Sequence, residues 1–237
     1  NHPLMKLFYT ICTLFCCLLW AAPTQAQKHQ FGVSLDIMLT NVNGKKVLSE
    51  DSEIDFNNYE STYFTIGTYY RLAPYRSRLS WQAALRYGNI WYRGRIDYPD
   101  DLIYENFYSS MQLHILHIPL NVQVDMGHEV KALFGLAVHQ IFVESDSQRG
   151  FVFPGNPLRD ELAFEAQQSF NKAVNETQIF WEAGLKLGFG RIEIQVKYQS
   201  LLTDFFNKIE LRGEGHQVDV SYRTYQMGMS YRLFGSY

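Results

Sequence analysis

Cysteine is almost missing from this chain. Cys12, Cys16 and Cys17 are the three it has in 237 residues, and all lie near the start. Three is too few for a disulfide framework, and residues 27–237 carry no thiol for catalysis or metal ligation. An excess of basic charge is lacking too. Lys and Arg total 21 against 24 Asp and Glu, a formal net charge of −3, and there is no basic stripe, so no nucleic-acid partner is expected. Beyond one N-terminal stretch there is no long apolar run, which excludes a bundle of membrane-crossing helices. No Gly-rich phosphate loop, His-Glu-x-x-His pair or EF-hand pattern occurs, and no cofactor or metal is expected. Aromatics, by contrast, are plentiful: 16 Tyr, 17 Phe and 4 Trp, at a mean hydropathy of only −0.21. A chain so aromatic is not disordered, and its polar average means that its apolar half is hidden by its pattern.

The N-terminal stretch reads as an address. Lys6 follows Met5, and Leu7–Trp20 is a mostly apolar run of 14 residues. Ala21-Ala22-Pro23-Thr24-Gln25-Ala26 then supplies small residues, with Thr24 and Ala26 at the −3 and −1 positions of a cleavage site. Residues 1–26 are therefore expected to be upstream residues plus a secretory signal peptide, removed on export. Residues 27–237 are expected to form a single domain.

The dominant signal in that domain is alternation with a period of two, the mark of strands with one apolar face. Phe31, Val33, Leu35, Ile37 and Leu39 alternate with smaller or polar residues. So do Leu79–Tyr87, Leu116–Met126 and Ile192–Tyr198, and weaker versions occupy 62–72, 130–143, 177–188 and 218–234. Eight strands result. Short connections at 73–78, 127–129 and 188–190 alternate with long ones at 40–61, 97–109, 144–176 and 203–217. This is the pattern of an antiparallel, up-and-down transmembrane β-barrel, all-β in class. A soluble ligand-binding barrel would alternate in the same way, so the faces have to decide. A ten-strand count is the alternative, with residues 150–153 adding strands. In the longest loop, Asn156-Pro157 followed by Leu158, Leu162, Ala166 and Phe170 predicts a short amphipathic helix that caps the barrel mouth.

The polar faces carry Asp36, Arg86, Asp125, Glu182, Lys186, Glu193, Lys197, Arg223 and Arg232, among small residues such as Gly32, Ser34, Gly184 and Gly228. Opposite charges and small side chains suit the crowded lumen of an eight-stranded barrel, so these nine are expected to form an internal charge ladder. The apolar faces carry Trp81, Tyr87, Trp91, Trp181, Tyr198 and Tyr231, expected as aromatic girdles at the two membrane interfaces. The long loops hold 18 of the 24 acids but only 7 bases, which makes one side of the molecule acidic.

Taken together, Leu116-His117-Ile118-Pro119-Leu120, the segment Glu182–Gly188 and the strand Glu193–Leu202 resemble the outer-membrane β-barrel families of Bacteroidota, porin-like and PorT-like. Gln226, Gly228, Tyr231 and Leu233 in the last strand resemble the insertion signal read by the barrel assembly machinery. The resemblance implies a bacterial outer-membrane location, with outer-membrane lipid, lipopolysaccharide and that machinery as partners. It does not select one activity, since the barrel is a scaffold for many.

For chemistry, His114 near a strand end, with Ser110 and Glu105 upstream, is the candidate set for a lipid-modifying enzyme. Against it stands the simpler reading of an interfacial histidine, and an enzyme is not the main expectation. Acidic runs at Glu50-Asp51-Ser52-Glu53 and Asp97–Asp101 offer a site for divalent cations, with plain solvation as the simpler reading. The expected function is structural: a monomer that stabilises the envelope or contacts envelope partners through its acidic loops. A small channel and a PorT-like secretion component are the alternatives.

Overall fold

The computed structural model describes residues 27–47, 53–55, 59–74, 77–100, 103–143, 168–169, 171–211 and 214–235. Side chains are described for all of these except 27, 43, 45–47, 53–55, 59–61, 91–100, 103–111, 143, 210–211 and 214. The predicted signal peptide, residues 150–153 and the start of the predicted loop helix lie outside the described residues.

The alternating segments become strands because each has one row of side chains that lipid or a core can take and one that it cannot. They are β1 (Gln27–Val47), β2 (Glu53–Asp55), β3 (Tyr59–Pro74), β4 (Leu79–Asp100), β5 (Ile103–Gly127), β6 (Val130–Val143), β7 (Thr177–Phe189), β8 (Ile192–Leu201), β9 (Ile209–Leu211), β10 (Glu214–His216) and β11 (Val220–Phe234). Eight of them close a ring, β1-β3-β4-β5-β6-β7-β8-β11, and every pairing is antiparallel. Closure comes from β1, which pairs with β3 on one side and with β11 on the other over Phe31–Gly44. The ring therefore has no free edge. Among the described residues no helix is long and apolar enough to cross a membrane, which says nothing about strands.

The ten-strand alternative is corrected. β2 sits above β3 and pairs with β1 and β4, while β9 and β10 form a separate two-stranded sheet within the last long loop. The long connection expected at 97–109 is corrected as well. β4 and β5 stay paired out to Asp100 and Ile103, so this segment is a tall hairpin. Once the register is set, each backbone satisfies the other as far as the tip, even where polar side chains break the alternation. Helix is described at 168–169 and 171–173, the very end of the predicted helical stretch and just beyond it.

The short connections gather at one end, here called the turn end. Gly127 and Val130 pair around a two-residue turn in which His128 (φ 50) and Glu129 (φ 66) are both left-handed. That is the backbone of a type I′ hairpin. Phe189 and Ile192 close a second two-residue turn, with Gly190 at φ 64.

Closure puts the apolar row outside. Phe64, Ile66, Phe134 and Met227 are 61%, 64%, 65% and 59% exposed, whereas Asp36, Arg86, Glu182 and Lys186 are buried inside. β8, the shortest of the ring strands, has 10 residues. At about 3.3 Å per residue and a tilt of about 40° it spans roughly 25 Å, the height of a lipid-facing band.

Candidate functional site: a charged lumen beneath an apolar plug

The interior has two storeys. Toward the loop end it is apolar: Met38, Val42, Tyr63, Ile90, Leu113, Ile115, Ile141, Phe180 and Tyr222 point inward from the wall. Two loop segments fold in to meet them, bringing Ala173, Val174, Phe205, Phe206, Ile209 and Val218. Val174 and Phe206 form a β-bridge, and Asn175 and Asn207 donate backbone hydrogen bonds to Phe205 and Ala173 across it. Phe205 stacks on Tyr222 with ring centroids 5.5 Å apart, and Phe180 meets Tyr222 at 5.2 Å. This plug fills the mouth by the same apolar packing that fills any protein core. The sequence pattern did carry a trace of it, because the inward row turns apolar at Met38, Val42, Ile90 and Leu113 as each strand nears its loop.

Toward the turn end the interior is polar and charged. Halfway down, Arg86 Nε lies 3.2 Å from Asp36 Oδ2, and Lys197 Nζ lies 3.1 Å from Glu182 Oε1. Neutral amides complete the shells. Gln195 and Gln226 donate to Asp36 Oδ1 at 2.6 and 2.8 Å, and Gln199 donates to Glu182 Oε2 at 2.6 Å. His117 and His139 are paired directly across β5 and β6, with ring centroids 4.6 Å apart. Nearer the turns, Glu193 gathers Arg71, Lys131 and Lys186, the last two at 3.2 and 3.3 Å.

These charges fit because glycines face them. In the strand registers Asp36 lies opposite Gly228, Arg86 opposite Gly67, Glu182 opposite Gly135 and Lys197 opposite Gly184. A Cβ on Gly228 would come 1.7 Å from Asp36 Oδ1, and one on Gly184 would come 2.9 Å from Lys197 Cγ. Asp36, Arg86 and Lys197 lie over the glycine opposite, where a Cβ would meet them, whereas Glu182 turns the other way, to Lys197 and Gln199 of β8.

Of the nine residues expected in the ladder, Asp36, Arg86, Glu182, Lys186, Glu193, Lys197 and Arg232 are buried. Two are placed differently. Arg223 points outward, because it differs in parity from Arg232 along an unbroken strand and only one of the two rows faces inward. Asp125 has the inward parity but lies past the rim, exposed, where its side chain accepts the Gly127 amide at 2.9 Å. Arg71, not among the nine, is also buried in the lumen. Its parity with Tyr69 and Thr65 was the signal.

On the outer wall, Trp81, Tyr87 and Tyr231 are exposed, and Trp181 and Tyr198 are half-buried. Trp181, Tyr198 and Tyr225 run side by side across β7, β8 and β11, with centroids 5.3 and 5.4 Å apart. The side chain of Trp91 lies outside the described residues, as do those of both acidic runs. Gln226 and Gly228 of the last strand face the lumen, and Tyr231 and Leu233 face outward.

The Ser-His-acid set is corrected. β5 runs unbroken through all three residues, so Ser110 stands four positions from His114, about 13 Å along the strand. Glu105 is about 30 Å away and of the opposite parity. His114 instead faces outward, and its Nδ1 lies 2.5 Å from the Tyr87 hydroxyl. Among the described residues no three His, Cys, Asp or Glu side chains converge to hold a metal ion.

No family model and no curated protein matches the chain. Solved structures do resemble it in outline. The attachment invasion locus protein Ail of Yersinia pestis, crystallised with the heparin analogue sucrose octasulfate, is 11% identical, with a TM-score of 0.43. That alignment covers 87% of this chain and 99% of Ail. The translocator domain of the autotransporter NalP from Neisseria meningitidis is 10% identical over 97% of this chain and 96% of its own, with a TM-score of 0.34. Neisserial surface protein A is 10% identical over 85% and 96%, with a TM-score of 0.23. At these values the likeness ends at the barrel, function is read from this chain's own residues, and the PorT-like resemblance gains no support.

Proposed function

We propose that this chain is a monomeric bacterial outer-membrane barrel whose role is structural: it stabilises the envelope or binds at the surface, and it neither conducts nor catalyses. The inverted polarity of the wall carries this reading. A continuous apolar belt around the whole barrel is far larger than the exposed patches soluble proteins tolerate, and lipid is the solvent that removes its cost. The girdle residues Trp81, Tyr87, Trp181, Tyr198 and Tyr231 fit the headgroup levels of such a bilayer. Gln226, Gly228, Tyr231 and Leu233 fit a signal for the barrel assembly machinery, and the acidic loops fit contacts with lipopolysaccharide, through bridging cations, or with envelope proteins. The plug and the paired charges below it argue against a water-filled pore, since eight strands leave little interior to spare. For the lipid-modifying alternative, Ser110 and Glu105 are spread along β5 from His114 rather than gathered beside it.

Fractionation tests the location. The protein should stay with membranes through carbonate and high-salt washes and migrate faster on gels before boiling than after. Release by salt would replace the membrane reading with the soluble-barrel one. Planar bilayers test the role: the purified protein should be silent, and reproducible conductance steps would favour the channel alternative.

A further inference from the structure

We propose that the turn end of the lumen is a binding site for a phosphate-type anion carrying two or more negative charges, entering from the side of the short turns.

Among the described residues the charges are unequal at this level. Halfway down the barrel, two carboxylates, Asp36 and Glu182, face two cations, Arg86 and Lys197. One level nearer the turns, Glu193 alone faces Arg71, Lys131 and Lys186. Lys131 and Lys186 are moreover directly opposite each other in the β6–β7 register. Like charges set opposite across a ladder repel, so the arrangement needs negative charge between them. Glu193 supplies one unit. At the rim Asp125 stands directly opposite Lys131 in the β5–β6 register and offsets part of its charge, but it is exposed, and the buried Arg71 and Lys186 still share Glu193.

Acceptors are unevenly used in the same place: Asn121 Oδ1 and Gln123 Oε1 have no partner, while two others are crowded. Gln82 Oε1 takes hydrogen bonds from Gln123, Lys186 and Arg71 at 2.5, 2.7 and 3.2 Å. A carbonyl oxygen has only two lone pairs. Glu193 receives Arg71, Lys131, Lys186 and the Ser230 hydroxyl. Arg71 Nε, fully buried, has no partner. A tetrahedral oxyanion brings to these donors negative charge and three or more acceptor oxygens. A guanidinium fork beside two ammonium groups is well suited to hold it.

The way in is also marked. Side-chain exposure falls from 22% at Lys131 to 9% at Glu193, 3% at Arg71 and 1% at Lys186. The site therefore opens toward the turns and closes toward the balanced charge level and the plug. Lys131 stands at the door.

The test uses the full chain refolded in a zwitterionic detergent and titrated with inorganic phosphate, with chloride as the balancing salt at constant ionic strength. Phosphate should raise the midpoint of thermal unfolding saturably, and its 31P resonance should broaden in the presence of protein. Lys131→Gln, which removes the most exposed of the three cations, should weaken apparent affinity roughly tenfold, the worth of one partly screened charge-assisted hydrogen bond. Lys172→Gln, in an outer loop, should leave it unchanged. Equal effects of phosphate and chloride, or a Lys131→Gln titration matching the parent, would overturn the proposal. Should Lys131→Gln not fold, the comparison of phosphate with chloride on the parent decides alone. The outcome is independent of the envelope role, which fractionation and conductance test separately.

Discussion

Replacing Glu182 by glutamine puts the middle of the lumen to the test. Glu182 and Lys197 lie 3.1 Å apart, and both side chains are 0% exposed. At an effective dielectric of about 20, two unit charges at that separation attract by about 5 kcal/mol. Desolvation of the pair offsets much of this, so the intact pair adds little to stability. Breaking it is another matter. Glu182→Gln leaves the ammonium of Lys197 buried beneath Arg86, and the expected loss is about 3–5 kcal/mol of unfolding free energy. Lys197→Met strands the carboxylate instead and should cost a similar amount. The double variant removes both charges at nearly constant volume, so it should cost about 2–3 kcal/mol less than the sum of the singles. Urea unfolding in lipid vesicles, followed by tryptophan fluorescence, measures all three. A cost below about 1 kcal/mol for Glu182→Gln, or a strictly additive double variant, would refute the view that this pair is held together in a low-dielectric lumen.

Three other perturbations probe separate features. Gly228→Ala places a Cβ 1.7 Å from Asp36 Oδ1 and must displace that carboxylate, so stability should fall by about 1–3 kcal/mol with a smaller heat-shifted fraction; a normal yield of folded barrel would show that Asp36 can rearrange freely. Glu129→Gly relieves a left-handed non-glycine at φ 66 in the β5–β6 turn and should raise the unfolding free energy by about 0.5–1 kcal/mol, read as a higher urea midpoint at constant denaturant slope, whereas a loss would mean that the Glu129 side chain has a role of its own. Phe206→Ala removes a fully buried ring from the plug and should cost about 3–5 kcal/mol; an unchanged midpoint would mean that the plug melts separately from the barrel.

Much of the wall was legible in one dimension. Phe31 to Leu39 and Ile192 to Tyr198 alternate so regularly that strand, face and approximate length follow from sterics alone. The errors share a cause. Arg223 was grouped with Arg232 on chemistry, although nine positions along a strand reverse the face. The 97–109 segment looked like a loop because its polar residues hide a hairpin whose pairing is carried by the backbone. Ser110 and His114 looked close because neighbours in sequence are distant on an extended chain. The plug was legible only as a helix capping the mouth, because Val174 and Phe206 become apolar partners only after two loops fold in.

Sequence by itself determined that there are two faces and eight strands to carry them, because alternation is a local property of the extended backbone. It could not determine which face lies inside. Closing β1 onto β11 decided that, since a narrow ring accepts glycines opposite charged residues on its concave side and sends the bulky apolar row outward. The pairing of charges was likewise tertiary. Glu193 meets Arg71 across 122 residues, and Gln226 meets Asp36 across 190. The surplus of cations at the turn end exists only because those long-range registers place three of them around one carboxylate.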